Sequence, residues 1–313
     1  MKLSIKILAV LLVTGLAGCL KDKPPVLDPA QSENIIEFAN TANLISPTLS
    51  KYPLLSVNIV MDPAGTYNAV VSYSGAHNAP EDITVEVAVA DSAVIKAYNT
   101  QNSRAYLVLP SSLYTLPVSK VVIPKGQRRV NFPINFTNAS QLYNKNYVLA
   151  LTIKSASTGR ISGNFGTMLY LLNGINRYDG IYTLKFRFGA NDRGYDLAAT
   201  TWFYSDVQLV TTGANTAVLR NLNAASPYPH AAVANGLPTT IASFVPQFTF
   251  DLATNKITNI TNSVAGARTA VPNPVVTDNR AELEKFVYAS FILKETGKQD
   301  MIIYDTLVYK TPR

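Results

Sequence analysis

From about residue 35 to residue 172, apolar positions recur every second residue in short runs separated by turn formers, the spacing of strands with one buried face. Ile83, Val85, Val87 and Val89 alternate with Thr84, Glu86 and Ala88, and Val130, Phe132, Ile134 and Phe136 alternate with Arg129, Asn131, Pro133 and Asn135. Pro133 has no N–H to give to a ladder, so the second strand belongs at an edge or a bulge. Leu54 to Met61 and Tyr147 to Lys154 read as further strands, and Asp91 to Tyr98 as one short helix capped by Asp91 or Ser92. Strands at this spacing, joined by turns such as Pro124-Lys125-Gly126, predict a β-sandwich.

The turn formers Asn173-Gly174-Ile175-Asn176 follow the apolar run Met168 to Leu172 and mark a domain boundary. Beyond it Leu184, Phe186 and Phe188 alternate with Thr183, Lys185 and Arg187, a strand with one wet face. Trp202 to Val210, Ile241 to Phe250, Val287 to Leu293 and Met301 to Tyr309 also read as strands. Asn221 to Pro238 has no period and carries Pro227, Pro229, Gly236 and Pro238, so a long loop is predicted there. No internal repeat is visible, and both halves point to an all-β class.

Composition agrees and removes much chemistry. The 313 residues are 47% hydrophobic and 15% charged, enough for two domains with real cores. A single Cys rules out a disulfide framework and a thiolate zinc cluster, and two His, His77 and His230, leave little for an imidazole metal site. No metal or cofactor is expected. There is no Gly-x-Ser-x-Gly elbow, His-Glu-x-x-His, P-loop or dinucleotide fingerprint. A Ser-His-Asp triad built from distant parts would have to use His77 or His230, and both read more simply as loop histidines.

Lys2 and Lys6 precede an apolar run from Ile7 through Leu16, which closes in small residues. This is the pattern of a secretory signal peptide, and the run is well short of the roughly 20 residues a spanning helix needs. Leu16-Ala17-Gly18-Cys19 resembles the bacterial lipobox, which implies lipidation at Cys19 after removal of residues 1–18, with diacylglycerol and palmitate-type chains holding the protein on a membrane. The charged, proline-rich stretch from Leu20 to Pro29 favours an extended tether within residues 19–34. Lys21-Asp22 matches in part the acidic export signal of surface lipoproteins of Bacteroidota; the outer face of the outer membrane is favoured and the periplasmic face is the alternative. The net charge of +7 falls by two when Lys2 and Lys6 are removed, and its basic residues are scattered, so nucleic acid is not an expected partner.

Asp91-Ser92, Tyr98-Asn99, Tyr106-Leu107-Val108-Leu109-Pro110, Tyr114, Val121-Val122-Ile123-Pro124-Lys125-Gly126 and Tyr147-Val148-Leu149-Ala150-Leu151 fall in an order that resembles the N-terminal domain of a Bacteroidota lipoprotein family, domain of unknown function seventeen-thirty-five. The likeness covers roughly residues 35–172. It implies an immunoglobulin-like sandwich in a surface lipoprotein encoded near glycan-uptake systems, and no catalytic residue. Tyr178-Asp179-Gly180-Ile181-Tyr182 resembles the start of the C-terminal domains that accompany this family, which implies a barrel or lipocalin-like sheet over residues 173–313. Some relatives carry a chitinase-like barrel, but about 250 residues would be needed and the remaining chain is about half that.

The second half holds a cluster suited to sugars: Asn191-Asp192-Arg193-Gly194-Tyr195-Asp196, then Trp202-Phe203-Tyr204, with Tyr228 and His230 in the proline-rich stretch. Sugar C–H faces pack on aromatic planes and hydroxyls take bidentate polar partners. Trp202, Tyr204, Tyr195, Asp192 and Arg193 are therefore the candidate ligand-binding residues. The plainer reading makes Trp202 a core residue and 192–196 a solvated turn. The expected function is non-catalytic glycan binding in support of polysaccharide uptake, with an outer-membrane transporter as partner. The rivals are a structural or adhesion lipoprotein packed on a membrane protein, and a glycosidase or esterase with dispersed acids.

Overall fold

Period-two hydrophobicity puts every second side chain on one face, and such strands must pair and stack to bury it. A computed structural model describes residues 33–39, 44–189, 195–196, 202–223 and 225–313. The first half forms β1 (Ile35–Phe38), β2 (Leu54–Val60), β3 (Thr66–Ser74), β4 (Ile83–Val89), helix α1 (Ala93–Asn102), β5 (Leu107–Val108), β6 (Tyr114–Thr115), β7 (Lys120–Ile123), β8 (Arg129–Phe136), β9 (Tyr147–Ala156), β10 (Arg160–Ile161) and β11 (Thr167–Ile175). One sheet has the order β10-β1-β3-β8-β6; the other is β2-β11-β9-β4-β7, with β5 beside β9. Phe38, Val71 and Phe132 from the first sheet and Val57, Val85 and Tyr170 from the second share one core, making an immunoglobulin-like β-sandwich.

Pro133 lies opposite Asn68 of β3, while β6 pairs only with Asn135 and Phe136, so β8 is an edge strand where the proline falls. The Asp91 carboxylate accepts the Ala93 N–H at 2.7 Å and starts α1; Ser103, with φ 51°, ends it. The helix runs past the predicted Tyr98 to Asn102. Its Ile95 and Tyr98 pack on Leu54, Val148, Ala150 and Leu169, the outer face of the second sheet. This second burial explains why β9 reads as the unbroken apolar run Val148–Leu151 rather than as an alternation.

The second half forms β12 (Gly180–Phe188), β13 (Phe203–Gly213), β14 (Thr216–Asn221), β15 (Ala231–Ala234), β16 (Leu237–Thr240), β17 (Pro246–Asp251), β18 (Lys256–Asn262), β19 (Arg268–Pro272), β20 (Arg280–Glu282), β21 (Phe286–Glu295) and β22 (Met301–Thr311). Strands pair antiparallel around the path β12-β13-β14-β17-β18-β20-β21-β22, and β22 returns to β12, closing an eight-stranded barrel; β19 pairs with β21 in line with β20, on the same edge. An eight-stranded barrel is just wide enough for side chains to fill. Here Phe186, Phe188, Phe248, Phe250 and Phe291 do so.

Two expectations change. The predicted loop over 221–238 contains the hairpin β15–β16, which turns on Asn235 and Gly236 at φ 53° and 72°. The predicted strand 241–250 begins only at Pro246; Ile241, Phe244 and Val245 are buried without extended pairing. β11 continues through Ile175, and the chain passes into the barrel domain through Asn176–Asp179. Asn34, at the end of the expected tether, is 4% exposed and donates to the His77 carbonyl at 2.6 Å. Cys19 lies outside the described residues.

Candidate functional site

In β12 the apolar residues Leu184, Phe186 and Phe188 point into the barrel, which forces Lys185 and Arg187 onto its outer wall. Phe203 packs on the core in the same way, so its neighbours Trp202 and Tyr204 face out, 42% and 64% exposed. In β22, Ile303 and Asp305 turn inward and Tyr304 and Thr306 outward. The register then lines these positions up across strands. Tyr204, Lys185, Thr306, Tyr288 and Arg280 form one row, and Arg187 and Tyr304 the next.

The row brings cations onto rings. Lys185 Nζ is 4.4 Å from the Trp202 ring centre and 5.9 Å from that of Tyr204. Arg187 Cζ is 3.9 Å from the Tyr304 centre and 5.5 Å from Trp202, and Arg280 lies 5.5 Å from Phe286 and 5.8 Å from Tyr288. Contacts under about 6 Å are attractive through the ring quadrupole. Between the rows is a cleft of about 240 Å³, lined by Arg187, Trp202, Asp278, Tyr288 and Tyr304 among others. Asp278 is held by Arg280 at 3.0 Å.

Of the residues singled out in the sequence, Trp202 lines this cleft and Tyr204 adjoins it through Lys185. Trp202 is therefore not a core residue. Tyr195 is half-buried against the barrel core, and its neighbour Asp196 accepts the Gly236 N–H at 2.6 Å, which ties the pair to the β15–β16 hairpin. Asp192 and Arg193 lie outside the described residues. Lys185, Arg187, Tyr288 and Tyr304 were missed. The signal was present in Leu184-Lys185-Phe186-Arg187-Phe188, where two cations alternate with rings on a strand whose apolar face is fixed.

Behind the wall, His230 and Asp305 meet inside the barrel. His230 Nε2 donates to the Asp305 carboxylate, 3.0 and 3.1 Å from its two oxygens, and both side chains are fully buried. Two members of a hydrolytic triad are thus adjacent. Yet His230 Nδ1 has no hydrogen-bond partner, and Phe186, Phe244 and Phe291 surround the ring, so among the described residues no nucleophile is hydrogen-bonded to the dyad. His77 is exposed in the turn after β3.

A larger cleft of about 390 Å³ lies where the two cores meet, lined by Asn58, Asn144, Lys145, Asn173 and Arg313 among others. Its amides are partly tied: Asn173 donates to Ser56 Oγ at 2.9 Å and to Asn58 Oδ1 at 3.3 Å, and Asn58 donates to the Arg313 carbonyl at 3.4 Å. Arg313 itself forks onto Asp179 at 2.9 and 3.1 Å.

The fold is thus that of a two-domain all-β protein, a sandwich followed by a closed barrel with an aromatic and cationic outer wall. A family model described as a "-like, N-terminal domain" matches residues 39–160. Among solved structures, the chain is similar to a Bacteroides ovatus protein of unknown function, with a TM-score of 0.51 at 14% identity over 89% of this chain and 95% of that one. This likeness shows a shared fold. A multidomain protein including DUF1735 from the same organism gives a TM-score of 0.39 at 15% identity, covering 88% and 92%. An auxiliary nutrient binding protein from Bacteroides thetaiotaomicron gives 0.37 at 13%, covering 83% and 91%. No curated protein matches the chain.

Proposed function

We propose that the protein is a non-catalytic glycan-binding lipoprotein, held on the outer face of the outer membrane through Cys19, which passes saccharide to an uptake transporter. The sandwich of residues 35–175 acts as spacer, and the barrel's outer wall around Trp202 is the saccharide platform. The observation that carries this reading is the 42% exposure of Trp202 at the rim of a cleft lined by Arg187, Asp278, Tyr288 and Tyr304. An indole left in water beside further phenols and fixed polar groups is the surface a pyranose ring needs, and an exposed aromatic cluster of this kind marks an interaction site. The His230–Asp305 pair, walled in by rings, supports a binding rather than a hydrolytic role.

Affinity electrophoresis of the full chain through gels containing individual polysaccharides tests this. At least one polysaccharide should retard the protein, and Trp202→Ala should weaken retention about tenfold, near 1.4 kcal/mol, with an unchanged melting temperature. Retention that survives Trp202→Ala would place the site elsewhere. A blank across the set would overturn glycan binding.

A further inference from the structure

The geometry points to a second binding site, on the sandwich rather than the barrel: the groove between α1 and the segment 104–108 that returns beside it holds a phosphate-bearing ligand between Lys96 and Arg104. The groove has a volume of about 380 Å³ and is lined by Lys96, Asn99, Thr100, Arg104, Tyr106 and Val108 among others. No carboxylate lines it, and neither cation forms an ion pair among the described residues. The sequence explains this. The Asp91 carboxylate before the helix is taken by the Ala93 N–H at 2.7 Å, and from Ser92 to Tyr178 no further Asp or Glu occurs, while Lys and Arg recur throughout. Other cations of the sandwich do find carboxylates, Lys120 on Glu86 and Arg160 on Glu33. Two cations in a groove without acids present a positive field to an incoming anion.

The walls are set before a ligand arrives. Ser103, at φ 51°, ends α1 and turns the chain back, and the Arg104 N–H donates to the Asn99 carbonyl at 3.0 Å. Asn99 then clasps the Tyr106 peptide from both sides: its amide donates to the Tyr106 carbonyl at 2.9 Å, and its Oδ1 accepts the Tyr106 N–H at 3.1 Å. The Tyr106 ring lies 6.0 Å from that of the buried Tyr98. Burial and Tyr106 push the Tyr98 phenol up, and the charge of Arg104 pulls it partly back, which places the guanidinium close to these rings. An Arg fork beside a Lys point charge suits a tetrahedral oxyanion, and the ring or chain attached to that oxyanion lies along Tyr106 and the half-exposed Val108. Because the groove is already ordered, little of the binding energy is lost to fixing it. A free phosphate ester and a lipid headgroup present the same group to these cations.

Titration calorimetry of the full chain with phenyl phosphate, inorganic phosphate and phenol, and flotation with phosphatidylcholine vesicles that contain or lack phosphatidylglycerol, test the site. Phenyl phosphate should bind more tightly than inorganic phosphate, and phenol should not bind. Arg104→Gln and Lys96→Gln should each weaken binding about tenfold, the loss of one charge-assisted hydrogen bond, and Arg104→Lys should weaken it less. Both cations are exposed, so the melting temperatures of these variants should match that of the parent chain. Trp202→Ala should leave phosphate binding unchanged, which separates this site from the barrel cleft. Binding of the free ester alone assigns the site to a soluble phosphate; binding of phosphatidylglycerol vesicles alone, lost in the same two Gln variants, assigns it to a headgroup. Failure to bind either, or binding that Arg104→Gln and Lys96→Gln leave unmoved, would overturn the site.

Discussion

Asp305 occupies an inward position between Ile303 and Leu307 of a barrel strand, where an apolar residue is the rule. Its compensation is His230, brought from 75 positions away, and the pair is closed off by the rings of Phe186, Phe244 and Phe291 at 5.0, 5.6 and 6.0 Å. Removing one partner of a buried pair leaves the other uncompensated, at about 3–5 kcal/mol, whereas replacing both by apolar residues is often close to neutral. Urea unfolding should therefore show His230→Phe and Asp305→Leu each destabilised by that amount and the double variant destabilised less than either. Simple additivity of the two singles would mean that the residues are not coupled. Half of this was legible in the sequence, since an acid on a strand's apolar face announces a buried partner. The partner was not, because His230 follows Pro229 in a stretch without periodicity. Trp202 was ambiguous for a related reason: it stands one residue before its strand, and only the inward packing of Phe203 decides which way it faces.

The hairpin β15–β16 shows what period reading loses when proline dominates a segment. Pro227, Pro229 and Pro238 suggested a loop, but Asn235-Gly236 is the dipeptide that closes a two-residue hairpin with both residues at positive φ, and they stand at 53° and 72°. Pro238 is tolerated because β16 belongs to a two-stranded sheet, where it faces Val233 and has no further strand to serve. Ile241, Phe244 and Val245 misled in the opposite direction: their apolarity reported burial against the barrel core, and Ser243 at φ 54° breaks the strand that apolarity alone suggested. Where a segment had one buried face, as in β4, β8, β12 and β22, the sequence pattern and the structure agree closely. An added Cβ at Gly236 would meet nothing within 4 Å, so the strain in a substitution there is purely conformational. Gly236→Val should cost about 1–2 kcal/mol, the penalty for a Cβ in the left-handed region, while Gly236→Asn should cost far less. Limited proteolysis near residue 235 reads the difference; equal resistance of both variants would mean that the turn is held by its flanks alone.

Across the whole molecule, the sandwich and the barrel each bury a phenol, and the two respond to alkali in the same sense for the same reason. Burial pushes the Tyr170 hydroxyl well above the usual 10, with Tyr67 adding to the effect, and burial likewise raises Tyr182, with Tyr309 and Asp179 adding to it. The folded chain therefore keeps protons that the unfolded chain releases near pH 10, so the stabilisation is whole below that pH and is lost as the pH climbs toward the folded values. Melting temperatures should be flat from pH 7 to 9 and fall beyond 10. The two phenols differ at neutral pH. Tyr182 donates to the Tyr178 carbonyl at 2.8 Å, whereas the Tyr170 hydroxyl has no partner among the described residues. Tyr182→Phe should then cost about 1 kcal/mol at pH 7, and Tyr170→Phe should be neutral or stabilising, because it removes a buried polar group that bonds nothing. The two cores are distinct, and their junction is thin, carried by contacts such as Arg177 Nε donating to the Asp62 carbonyl at 2.8 Å. Calorimetry should accordingly resolve two transitions, with Tyr170→Phe flattening the alkaline fall of one and Tyr182→Phe that of the other. A single transition moved by both substitutions would show that the junction couples the domains into one cooperative unit.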